Sequence, residues 1–126
     1  MSHYADYRLE CYDIHSFEDE NGFFACKAFD DENGKRLHIE DMWIKPELRD
    51  KKIGQKYEEQ IFNYAKENGY DKVTCSIYLH NPTANETLSK FLYGNWKLAW
   101  LSGDYISLVK DAKCDVYKRM KDEKMD

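Results

Sequence analysis

Residues 37–56 read LHIEDMWIKPELRDKKIGQK. The half-apolar run from Leu37 to Ile44 predicts a strand, which Pro46 ends. Arg49, Lys51 and Lys52 then gather ahead of Gly54, and from Ile53 the apolar residues recur at three-and-four spacing, as one face of a helix requires. Strand, basic loop, glycine and helix in that order build an anion cradle: the first turn of a helix has unpaired N–H groups and the positive end of the dipole. Residues 45–56 carry five cations (Lys45, Arg49, Lys51, Lys52, Lys56) against Glu47 and Asp50, a local charge of +3 in a chain of −5.

Working outward, Tyr7 to Ile14 and Gly22 to Asp30 predict strands, and Asn21-Gly22 and Asn33-Gly34 are turn dipeptides between apolar runs. With Arg36 to Ile44 they make an antiparallel meander. The helix over Ile53, Tyr57, Ile61, Tyr64 and Ala65 is expected to end at Gly69. The alternation of Val73, Cys75, Ile77 and Leu79 predicts a strand after it, so strand, helix and strand form a parallel crossover. A second helix is expected to start at Thr83 with Glu86 as a capping box, to carry Leu88, Phe91 and Leu92 on one face, and to stop at Gly94. Strands from Lys97 to Leu101 and Asp104 to Val109 form a hairpin around Ser102-Gly103. The expected class is α/β (α+β): a mixed, mostly antiparallel sheet with a central parallel βαβ crossover and flanking helices. One domain is expected to fill residues 1–126, with 111–126 a charged tail.

The order from the strand through Pro46, Arg49 and Gly54 to the helix resembles the acetyl-CoA-binding motif of the GNAT superfamily of N-acetyltransferases, whose pattern is Gln or Arg, x, x, Gly, x, Gly or Ala. Here Arg49 and the second glycine, Gly54, match, and Lys52 replaces the first glycine. Its side chain crowds the loop if a positive φ is needed there, or adds a phosphate contact. The element order is similar to the latter part of that fold from about Tyr7 to Val109, without the helical pair that walls the acceptor site, so the resemblance implies a minimal member. It implies acetyl-CoA as cofactor, with the backbone of Met42, Trp43 and Ile44 along the pantetheine arm and Arg49, Asp50, Lys51, Lys52, Ile53, Gly54 and Gln55 around the pyrophosphate. Arg49 is a phosphate clamp or a surface partner of Glu47 or Asp50. Asn81 or Asn85 fills the polar position after the crossover strand, unless each caps a helix.

The resemblance further implies direct attack of a primary amine on the thioester, which asks for a base and an acid. Tyr93 is the candidate acid, although the regular alignment puts Leu92 at the family's tyrosine position. Glu40, Asp41 and His38 are candidate bases. Strand alternation sets His38, Glu40 and Met42 on one face and Ile39, Asp41 and Trp43 on the other, unless a bulge intervenes. The alternative function is a GNAT-fold module that binds CoA or a protein without catalysis.

Composition bounds these readings. With 42% hydrophobic and 34% charged residues the chain can bury a core within a well-solvated exterior. No run suits a membrane span, and the N-terminus lacks the pattern of a signal peptide, so a cytoplasmic location is expected. Net acidity argues against nucleic acid and suits a cationic acceptor, a small-molecule or protein amine. Cys11, Cys26, Cys75 and Cys114 are unpaired in spacing and read as reduced thiols, and no metal is expected. Trp96, Trp100 and Tyr105, near an exposed sheet edge, suggest a homodimer.

Overall fold

The computed structural model describes residues 3–32 and 34–113. Helix α1 (His3–Tyr12) is followed by β1 (Ile14–Glu18), β2 (Gly22–Asp31) and β3 (Gly34–Ile44), then a short 3-10 turn (Pro46–Leu48) and α2 (Ile53–Glu67). After these come β4 (Lys72–Tyr78), α3 (Ala84–Tyr93), β5 (Lys97–Ser102) and β6 (Tyr105–Asp111). The six strands form one sheet in the order β1-β2-β3-β4-β6-β5. All neighbours are antiparallel except β3 and β4, which α2 joins as a parallel crossover. The expected class and element order hold from β2 onward.

The N-terminal segment differs. The strand expected from Tyr7 to Ile14 is the end of a helix plus the first residue of β1. Tyr4 stacks on Tyr7 three residues on, and the Arg8 guanidinium lies 5.5 Å from the Tyr4 ring centroid, contacts that only helical spacing allows. Asp13 ends the helix at φ +57°. Cys11 is therefore exposed on a helix, whereas Cys26 and Cys75 are buried thiols whose pKa burial pushes up to about 12. Asn33, Cys114 and the tail from 114 onward lie outside the described residues, so the expectations that rest on them do too.

The core lies between one face of the sheet and helices α2 and α3. Tyr57, Ile61, Phe62 and Ala65 of α2 meet Phe24, Cys26, Leu37, Val73, Cys75 and Leu108 of the strands. Each fully buried aliphatic or aromatic side chain contributes about 1.5–3 kcal/mol. α2 closes in a Schellman motif: Gly69, at φ +76°, donates to Lys66 O and Tyr70 donates to Ala65 O. α3 ends the same way, but the left-handed residue is Asn95 (φ +69°) rather than Gly94. Trp96 N donates to Phe91 O, and the Trp96 ring packs edge-on against Phe91 and Phe62. Trp96 is thus core, not part of an exposed edge. At the front of α3 Thr83 makes no side-chain cap; its N–H and hydroxyl both donate to Asn81 Oδ1.

A bulge in β3 changes which residues share a face. Ile39 pairs with Cys26 and Asp41 with Ala25, so Glu40 is the extra residue. Cross-strand partners share a face, hence Ile39, Met42 and Ile44 lie on the α2 side with Cys26, Phe24 and Gly22. His38, Asp41 and Trp43 lie on the opposite side with Lys27, Ala25 and Phe23. The unbulged alternation is corrected accordingly.

Candidate active site

The parallel ladder between β3 and β4 spans Arg36–Ile39 against Lys72–Cys75 and stops there. β3 runs on to Ile44 along β2, and β4 runs on to Tyr78 along β6. The two strands diverge into a wedge with its vertex at Ile39 and Cys75. Along the β3 wall, Glu40 to Ile44 have a strand on one side only, so the edge facing β4 offers backbone donors and acceptors to an extended ligand.

The wide end of the wedge leads into the basic loop. A Cβ on Gly22 would come 2.0 Å from Trp43 O, so only glycine lets the β1–β2 turn lie against the end of β3. Lys45 N donates to Asn21 O at 2.9 Å. Arg49 Nε donates to Ile44 O at 3.0 Å, folding the loop back on the strand; neither Glu47 nor Asp50 is its partner in that bond. Asp50 and Lys52 both sit in the left-handed region, at φ +66° and +65°. The position where the family pattern carries its first glycine does take a positive φ, and a lysine occupies it. Such residues cost about 1–2 kcal/mol each, and backbone strain of this kind collects at functional sites.

Lys52 is the N-cap of α2 and supplies no side-chain cap. The first N–H of α2 to reach a carbonyl is that of Lys56, onto Lys52 O, so the N–H groups of Ile53, Gly54 and Gln55 face out of the helix end. A Cβ at Gly54 would meet Ile44 Cδ1 at 3.7 Å, an ordinary contact. Internal packing therefore does not demand glycine at 54, and its bare backbone leaves the first turn open to an anion. Ile53 packs on the core, while Lys51, Lys52 and Gln55 are exposed.

The candidate bases separate by environment. His38 stands one pair inside the wedge vertex, opposite Thr74 in the closed ladder, half-buried, with Nδ1 2.8 Å from Thr74 Oγ1 and its ring against the edge of Phe29. Burial lowers its pKa; the Glu40 carboxylate works against that and Arg36 with it. Asp41 is bound 3.3 Å from the Arg8 guanidinium and so ties α1 to the sheet. Glu40 is exposed in the bulge. Thr74 and Arg8 escaped the sequence reading; the alternation of β4 marked Thr74 only as the off-core residue.

Elsewhere, Met42 and Trp43 are exposed at the β3 end, and Tyr93 is 46% exposed in the last turn of α3. Asn81 builds the turn into α3, whereas Asn85 is an exposed residue of its first turn. Lys90 of α3 reaches Asp50 at 3.7 Å and links that helix to the basic loop. A separate depression of about 420 Å³ between β1 and α2, lined by Phe17, Asp19, Tyr57 and Gln60, has no wall from β3 or β4. Among the described residues no three His, Cys, Asp or Glu side chains converge as metal ligands, and no helix is long and apolar enough to cross a membrane.

Residues 6–92 match the family model of the acetyltransferase (GNAT) family. No curated protein sequence matches the chain. Among solved structures, the chain is similar to the PaiA N-acetyltransferase of Thermoplasma acidophilum in complex with coenzyme A: 21% identity, TM-score 0.63, over 83% of this chain and 65% of that one. The chain therefore spans just under two thirds of that protein's length. It is also similar to the IAA acetyltransferase of Bacillus cereus, at 14% identity and TM-score 0.58, over 72% of this chain and 69% of that one. An aminoglycoside 6'-N-acetyltransferase complexed with coenzyme A aligns at 10% identity and TM-score 0.59, over 86% of this chain and 78% of that one. At these identities the structures speak for the fold.

Proposed function

The chain belongs to the acetyltransferase (GNAT) family, and from that premise we propose that it transfers an acetyl group from acetyl-CoA directly to a primary amine of a small molecule or protein. The observation that carries this reading is the wedge between β3 and β4, opening into a basic loop and an uncapped helix end. An extended amide-bearing arm fits the free edge of β3 at Met42, Trp43 and Ile44. A diphosphate fits the loop from Arg49 to Gln55, which carries the free N–H groups of the first turn of α2 together with the Arg49, Lys51 and Lys52 side chains. Asn81 and Asn85 stand at the start of α3 as further polar contacts.

Acetyl-CoA, when bound, supplies the activated thioester carbonyl. The chain holds the amine and the thioester in register, and orientation provides much of the rate. His38 takes the amine proton: in the tautomer whose Nδ1–H donates to Thr74 Oγ1, Nε2 keeps its lone pair, and burial favours the neutral ring. Asp41 is paired with Arg8, and Glu40 offers a second exposed carboxylate next to the vertex. Tyr93 Oη returns a proton to the departing sulfur.

One observation favours the alternative, a module that binds CoA or a protein partner without turnover: Lys52 stands at φ +65° where the family pattern has glycine. Calorimetry with acetyl-CoA, dephospho-CoA and ATP, followed by an amine screen for thiol release, separates the readings. Saturable acetyl-CoA binding with turnover on an amine supports the enzyme. Binding without turnover supports the module, and no binding at millimolar ligand refutes both cofactor readings.

A further inference from the structure

We propose that the acceptor is a small amine joined by a short alkyl link to an aromatic ring, and that the ring lies between Trp43 and Tyr78 on the sheet face turned away from α2. This names the substrate class of the site proposed above and rests on that reading. The His38 ring and the Thr74 hydroxyl meet on that face, and strand alternation carries it along both banks of the wedge. On the β3 bank, past the bulge at Glu40, it holds Asp41 and Trp43. On the β4 bank it holds Ser76 and Tyr78, with Ser107 and Tyr105 of β6 beside them. Ser76 Oγ lies 3.0 Å from Ser107 Oγ, and the Tyr78 and Tyr105 ring centroids are 5.3 Å apart.

Both banks end in rings with free surface. Trp43 stacks on Phe23 at 6.4 Å, and Trp43 and Tyr78 are each 44% exposed. An exposed aromatic pair flanking a cleft marks a place for an apolar ligand, and ring faces favour another ring in offset or edge-on contact. The first open level past the vertex is that of Asp41 and Ser76. Trp43 and Tyr78 stand two residues further on, about 7 Å at the strand rise, and there β3 and β4 all but end. The face therefore has the length of one ring and its link to the nitrogen. Charge selects within the amines. Thr74, Ser76, Tyr78, Tyr105 and Ser107 bring no charge to the β4 bank, and on the β3 bank Asp41 is already 3.3 Å from the Arg8 guanidinium. Glu40 next to the vertex suits one ammonium, whereas a polyamine would leave its further ammonium groups against rings and hydroxyls without a carboxylate.

The test is a thiol-release assay with acetyl-CoA and 2-phenylethylamine, n-propylamine, spermidine or tetra-alanine. The aromatic amine should exceed each of the others in kcat/KM by at least about tenfold. Tyr78→Ala, at an exposed position, should raise its KM about tenfold with the KM for acetyl-CoA unchanged, and Tyr78→Phe should keep the parent value. Spermidine, propylamine or the peptide used as well as the aromatic amine overturns the aromatic acceptor while acetyl transfer stands, and so does a preference that Tyr78→Ala does not move. If no amine turns over, acetyl transfer falls instead, and calorimetric titration of 2-phenylethylamine into the CoA-saturated protein reads the site without chemistry. Saturable binding that Tyr78→Ala weakens supports the site; no binding at millimolar amine overturns it.

Discussion

The Tyr57 hydroxyl donates to Asp19 Oδ1 at 2.6 Å, joining the second turn of α2 to the β1–β2 turn 38 residues earlier. The same carboxylate oxygen accepts from the N–H groups of Asn21 and Gly22. Chiefly because of the Tyr57 hydroxyl, the Asp19 carboxyl titrates below its ordinary value, while burial raises that of Tyr57. Tyr57→Phe should cost about 1–2 kcal/mol at neutral pH. Because the folded Asp19 pKa is the lower one, this contribution is complete above the unfolded aspartate pKa and fades as pH falls through the folded value. Urea unfolding of both proteins should show a gap at neutral pH that closes in acid; a gap independent of pH would assign the cost to packing.

The His38 assignment predicts the position of the acid limb. Burial holds its pKa below the ordinary 6.5, so transfer should persist to lower pH than an exposed imidazole would allow and fall once the ring protonates. His38→Ala should lower kcat by about 10²–10⁴-fold with little change in acetyl-CoA affinity. Full activity in that variant would move the role to Glu40.

Arg49 and Tyr93 should separate binding from chemistry. Arg49→Ala removes both the bond to Ile44 O and a cation from the cradle, and calorimetry should show acetyl-CoA binding weakened about tenfold. Tyr93→Phe should bind as the parent does and transfer about 10²-fold more slowly. Unchanged turnover would exclude the tyrosine as the acid.

Lys52 offers a test of loop strain. Lys52→Gly should stabilise the fold by about 0.5–1 kcal/mol, because φ +65° costs glycine nothing, while Lys52→Ala should give no such gain. If the ammonium also contacts phosphate, both variants bind acetyl-CoA more weakly despite their different stabilities, which thermal melts and calorimetry together would register.

A buried lysine anchors the far end of the core. Lys110 Nζ donates to Gly94 O at 2.6 Å and lies 3.8 Å from Glu58 Oε1, which also accepts from Trp96 Nε1 at 3.3 Å. Removing one member leaves the other charge uncompensated, so Glu58→Ala should cost about 3–5 kcal/mol. The paired replacement Glu58→Gln/Lys110→Met should cost less than Glu58→Ala. Denaturant midpoints for the two variants would check the order.

Strong periodicity was legible and local exceptions were not. α2 could be read because Tyr57, Ile61 and Ala65 repeat on one face and all three are buried. α1 could not, because none of its residues is buried; its tyrosines favour a strand by propensity, and ring stacking along the helix overrides that preference. The basic loop was readable from composition, as was the chance that Lys52 needs a positive φ. The Glu40 bulge has no sequence mark, and without it the faces of Asp41, Met42 and Trp43 come out inverted. Lys110 reads as a surface lysine because its partners, Gly94 O and Glu58, are brought to it only by the tertiary fold.

The sheet is two antiparallel blocks, β1-β2-β3 and β4-β6-β5, sharing a seam of only four residue pairs. Across that seam the chain passes once, through α2, so the helix works as a strap between two leaves and the free edge of β3 as an unfastened margin. A ligand lying in the wedge would extend the seam from within. The amide protons it shields on Glu40 to Ile44 would then exchange with solvent more slowly, and the two leaves would open together where before they could open apart.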